Sequence, residues 1–185
     1  GASSSGQTGT GQVVLNGADA VLSGTGQVQG TTTVTQGTVR PGDAGGTAVG
    51  TLTTSELIFT PVTATTVIEL QITGSTGTST LAYDKIIIGG ALTLNGNSNI
   101  VVKGDTYNPT LGDTFVLLDW NTVLDTGTTS VFSIGTNNRT GANIGNEGNL
   151  DLPDLSTYGL TWQILDFSGS GSLTLVVVPE PARAL

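Results

Sequence analysis

Apolar side chains in this chain recur at every second position in short runs, and nowhere keep the three-and-four spacing of a helix. Period two places alternate side chains on one face of a strand. The runs are Gln12–Leu15, Thr32–Thr35, Leu57–Phe59, Val67–Ile72, Lys85–Ile88, Leu92–Leu94, Ile100–Val102, Phe115–Leu118, Leu160–Ile164 and Leu173–Val178. Gly, Asn, Asp and Ser separate them, and Asn16-Gly17 and Asn95-Gly96 are turn dipeptides. Threonine fills many intervening positions, where it keeps β propensity and stays wet. The chain is therefore expected to be all-β.

The opening stretch is quasi-repetitive. Gly9-Thr10-Gly11-Gln12-Val13 returns as Gly24-Thr25-Gly26-Gln27-Val28, and Gly37-Thr38-Val39 is a weaker third copy. Near-copies of one short unit suggest coils that stack on one another. The expected architecture is a right-handed parallel β-helix, that is, a β-solenoid. The alternative is a β-sandwich or jelly roll, which also uses short strands and frequent turns. One β-rich domain is expected over 1–178, with solenoid-like coils over 1–120, an irregular excursion over 121–159 and final strands over 160–178.

Composition removes whole classes of function. The 185 residues include no Cys, no Met and no His. No disulfide framework, thiolate site or imidazole acid/base chemistry is open to such a chain. Only 10% of residues are charged, against about 25% in ordinary soluble domains. No apolar run approaches the roughly 18 residues of a spanning helix, and the regular Val, Ile and Leu patterns argue against disorder. A net charge of −9 argues against nucleic acid and against anionic lipid. It permits calcium, the one cofactor left open. These features fit an extracellular chain with a surface of hydroxyls and amides.

Two resemblances sharpen this. Gly37-Thr38-Val39-Arg40-Pro41-Gly42-Asp43, followed by Gly50-Thr51-Leu52-Thr53, resembles the turn-and-coil unit of autotransporter-type β-helix passengers, with Asp43 where Asn is usual. Tyr83-Asp84-Lys85-Ile86 through Leu94-Asn95-Gly96 is similar to a later passage of the same passengers. The segment Tyr107–Trp120 resembles the closing coil of PEP-CTERM solenoid proteins. At the end, Val178-Pro179-Glu180-Pro181 resembles the start of the PEP-CTERM sorting signal of bacterial surface proteins. Residues 179–185 would then be the remnant of that signal, without its membrane helix and Arg cluster. The resemblance implies secretion, surface display and membrane contact only through a missing segment. It carries no catalytic residue set. Read without it, Pro179 and Pro181 simply end a strand, because proline cannot donate to a ladder.

Asp105, Asp113 and Asp119 cluster around Tyr107 and Trp120. A glycosidase would need two such carboxylates beside an aromatic platform. Some polysaccharide lyases on β-helices combine Asp-bound calcium with basic residues, and those upstream of Arg139 are Arg40, Lys85 and Lys103. Turn capping is the preferred reading, since these carboxylates lie at or near Gly, Thr or Asn. The same holds for Asp151, Asp154 and Asp166, whose spacing is unlike an EF-hand. Asp84 is expected to bond a neighbouring coil. Trp120, Trp162, Tyr83, Tyr107 and Tyr158 are read as core plugs or end caps rather than a sugar-binding strip. Asn138-Arg139-Thr140 is a glycosylation sequon within the polar 137–149 stretch, itself a candidate partner-binding loop.

The expected function is that of a non-enzymatic structural protein of the bacterial exterior, self-associating into a homo-oligomer, fibre or layer. Strand exchange would run through Gln12, Val13, Val14 and Leu15 at one end and Leu173, Leu175, Val176, Val177 and Val178 at the other. The alternatives are an adhesin-like module that binds extracellular polysaccharide, and a polysaccharide-active enzyme.

Overall fold

In the computed structural model of the chain, each period-two run falls on a strand to within a residue. The structure describes residues 6–43, 45, 48–61, 66–75, 82–95, 97–125, 149–167 and 171–181. The strands are β1 (Gly6–Gln7), β2 (Val13–Gly24), β3 (Gly26–Pro41), β4 (Thr51–Phe59), β5 (Thr66–Gln71), β6 (Lys85–Ile88) and β7 (Ala91–Leu94). They continue with β8 (Ser98–Lys103), β9 (Thr114–Trp120), β10 (Thr122–Asp125), β11 (Leu150–Asp151), β12 (Leu160–Asp166) and β13 (Gly171–Pro179). Among the described residues the one helical element is a 3-10 turn at Ser156–Tyr158. The fold is all-β.

Every pairing among β1 to β11 is parallel, and the pairings line up in three series. In the first, Gly26 lies opposite Leu52, Leu52 opposite Ile86 and Ile86 opposite Leu118. In the second, Val13, Thr32, Leu57, Leu92 and Val123 follow one another. The third runs through Leu22, Val39, Ile68, Ile100 and Leu150. Most of these side chains are buried, Leu57, Ile68, Ile86, Leu92, Ile100, Leu118 and Leu150 completely so. β2 is long because it serves two series and β3 because it serves all three, and β2 slips in register against β3 between Asn16 and Val21.

The register differs from the fifteen-residue sequence repeat. Gly26-Gln27 pairs with Gly6-Gln7, not with Gly11-Gln12, while Val13 reaches Thr32. The repeat therefore marks local strand chemistry rather than the spacing of paired strands, which in the first series is 20 residues from Gly6 to Gly26, 26 on to Leu52, 34 on to Ile86 and 32 on to Leu118. Within the expected excursion, β10 and β11 continue the second and third series beside β7 and β8. Residues 126–148 lie outside the described residues.

The sheet is not uniformly parallel. β13 runs antiparallel to both β9 and β12, and β12 ends the sheet. Leu173, Leu175 and Val177 enter the core here with Trp162. Polar groups inside the stack are satisfied, as burial requires. The hydroxyls of Thr32 and Thr54 meet at 3.0 Å, and Thr54 donates to the Glu56 carbonyl at 3.0 Å.

Candidate functional site

Asp84 is the most deeply buried carboxylate among the described residues, with 1% of its surface exposed. It stands just before β6, where the chain turns into the first series. Oδ1 accepts the Gly50 N–H at 2.7 Å and Oδ2 the Gln71 N–H at 2.8 Å. Gly50 leads into β4, beside which β6 lies, and Gln71 ends β5. The expected structural bond is present, made to the flanks of two other strands. Burial pushes this carboxyl from the ordinary 3.8 up to about 7; the two N–H donors oppose the shift, and the charges of Asp43 and Glu69 add to it. The carboxyl does structural work by closing two backbone groups that would otherwise be buried without acceptors.

The other described Asp residues meet different partners. Asp113 is buried, accepting the Tyr107 hydroxyl at 2.7 Å and the Thr110 N–H at 3.0 Å. It also closes the turn by donating its own N–H to the Thr110 carbonyl at 3.0 Å. That is turn capping. Burial and the Asp113 carboxylate hold the Tyr107 phenol above its usual range. Asp119, expected to cap a turn, lies instead within β9 and pairs across strands with Lys85 at 3.3 Å, and Asp105 is exposed. Asp154 caps the 3-10 turn by accepting the Ser156 N–H at 2.8 Å. Among the described residues, no three Asp or Glu side chains converge where a metal ion would fit.

The aromatics face inward. Tyr83 and Tyr107 each set an edge against Phe115, with centroids 5.3 and 5.4 Å away. Trp162 stacks on Tyr107 at 6.1 Å and meets Phe115 at 5.9 Å. Its indole N–H donates to the Pro153 carbonyl at 2.9 Å, so even the polar edge is satisfied. Trp120 packs on Phe167. This is the plug that the aromatic positions suggested; Tyr158 alone of the five is strongly exposed.

Sequence reading missed the outer ion pairs. Glu69 takes Arg40 at 2.7 Å on one side and Lys103 at 2.9 Å on the other, joining β3, β5 and β8 across the stack. With Lys85 on Asp119, every cationic side chain among the described residues holds a neighbouring strand. Each sits at an outward position of a period-two run, and only the register reveals which carboxylate it meets.

The proposed assembly residues divide into two groups. Leu173–Val178 belongs to β13, whose two edges are both paired within the chain, and Leu173, Leu175 and Val177 are fully buried. Within the single chain these residues lie inside its own sheet. Gln12–Leu15 lies at the opposite end, where β2 pairs with β3 alone among the described residues. Leu15 is buried, Val13 packs on the core, Val14 is exposed, and the Gln12 amide donates to the Thr33 hydroxyl at 2.8 Å. Pro179, Glu180 and Pro181 are exposed beyond the last buried residue, with the Glu180 N–H on the Gly159 carbonyl at 3.1 Å. The sequon Asn138-Arg139-Thr140 and all of the 137–149 stretch except Asn149 lie outside the described residues. Comparisons with protein-family models, curated proteins and solved structures found no match.

Proposed function

We propose that this chain is a structural protein of the bacterial exterior, built as a right-handed parallel β-helix with an antiparallel cap at its carboxyl end. The observation that carries the reading is the use made of its chemistry-bearing residues. Asp84, Asp113 and Asp154 bind backbone N–H groups, Arg40, Lys85 and Lys103 tie strands together, and the large aromatics fill the interior. What remains outside is a wall of Thr, Ser and amide side chains around stacked strands, suited to a rod or spacer and not to turnover. The exposed Pro179-Glu180-Pro181 is in keeping with a sorting motif that a processing partner must reach. As such a subunit the protein associates with copies of itself into a fibre or layer, and β2, which pairs with β3 alone among the described residues, offers an edge for one such contact.

Electron microscopy of the native protein, without denaturant, tests this. Filaments or sheets with a fixed repeat are the expected result. Dispersed particles at high concentration would count against self-association and turn attention to the adhesin-like alternative, to be tested by binding to extracellular polysaccharide.

A further inference from the structure

The free edge of β2 carries a symmetry of its own. About the Gly17–Ala18 bond its sequence reads nearly the same in both directions: Val13 corresponds to Leu22, Val14 to Val21, Leu15 to Ala20, and Asn16 to Asp19. The structure gives the correspondence physical content. Val13, Leu15, Ala20 and Leu22 all pack on the core. Val14 and Val21 point outward and are 56% and 44% exposed. Between the two halves the strand turns a corner, so Val13–Leu15 belongs to the second series and Leu22 to the third. A two-fold axis through that corner lays the first half of one copy antiparallel on the second half of another. Apolar inward residues then meet apolar inward residues, Val14 meets Val21 on the outside, and the Asn16 amide meets the Asp19 carboxylate. A slip of one residue destroys all of these matches, because it exchanges inward for outward positions.

We propose that β2 is a self-recognition edge which pairs two copies of this chain amino end to amino end, with Val14 of each opposite Val21 of the other. This deepens the structural-subunit reading and rests on it. The contact is isologous and closes on itself, so it yields a pair with both caps facing outward; longer assemblies need a second surface. It also hides the unpaired N–H and C=O groups of the end strand, which otherwise attract unrelated chains.

The absence of cysteine makes the register testable in the full chain. Val14→Cys and Val21→Cys are made separately and oxidised alone and mixed. The mixture is expected to cross-link about tenfold or more faster than either variant alone, because the pairing holds two thiols at disulfide distance. Either variant cross-linking alone as fast as the mixture overturns the register. In sedimentation, Val14→Lys/Val21→Lys is expected to weaken pairing by about tenfold and Val14→Lys/Val21→Glu to restore it; equal association of the two overturns the proposal. Both positions are exposed, and unchanged thermal unfolding would show that the fold survives. Fibres that form without the mixed cross-link would sink this pairing and leave the structural reading standing. Cross-linked pairs with no longer assembly would support the pairing and count against the fibre.

Discussion

The two ends of the strand stack solve the same problem in opposite ways. Any stack of coils leaves a last strand with one bare edge and an apolar interior open to water. At the carboxyl end the chain folds back. β13 covers the edge of β9, β12 covers β13, and Trp162, Phe115, Tyr107 and Tyr83 plug the interior. At the amino end β2 has no such cover among the described residues, and its core-facing side chains are small: Val13, Leu15, Ala20 and Leu22. One end is finished by its own chain, whereas the other shows no such finish among the described residues. A polar side chain on a covered edge is consumed by the fold, as Asp113 is. An apolar side chain on the β2 edge, such as Val14, stays exposed.

The contrast can be tested by substitution. Trp162→Ala removes the largest fully buried side chain and should cost about 3–5 kcal/mol in denaturant unfolding, the cavity adding to the lost transfer energy. Asp84→Ala leaves the Gly50 and Gln71 N–H groups buried without acceptors, and should cost about 2–4 kcal/mol while sparing both ends. The same carboxyl predicts a pH dependence. Its folded pKa of about 7 lies above the ordinary 3.8, so the folded chain binds this proton more tightly than the unfolded chain. The stability it contributes is full below 3.8 and is lost as the pH rises through 7. Thermal unfolding from acid to neutral pH should show that decline in the parent and a flatter profile in Asp84→Asn. Leu15→Ala, at the uncovered end, should cost about 2 kcal/mol or less, against about 3–4 for Leu57→Ala in a middle strand. A larger loss at Leu15 would mean that the amino end is enclosed after all. Smallest of all, Lys85→Gln should change stability by less than about 0.5 kcal/mol, because its partner Asp119 is half exposed.

Much of the fold is legible in the order of residues alone. Alternation at Lys85–Ile88 and Ile100–Val102 dictates which side chains point inward, since a strand has only two faces. Asp84, isolated before an apolar run, points to a structural bond. Pairing partners cannot be read in this way. The Gly-Thr-Gly-Gln-Val repeat suggests a spacing that the register does not follow, because connecting segments of different length separate the coils. Nor does the sequence reveal that Leu173–Val178 is enclosed. A run of alternating apolar residues looks the same on an edge strand and on a strand paired at both edges.

By itself, then, the sequence determined the strand period, the inward and outward faces, the turn-capping role of Asp113 and the absence of imidazole and thiol chemistry. All of these depend on neighbours within a few residues. Only the tertiary structure decided which strand lies beside which, that Glu69 joins Arg40 to Lys103, and that one end is plugged while the other stays open. Those outcomes depend on contacts between residues far apart in the chain, where local alternation fixes a face but not a partner.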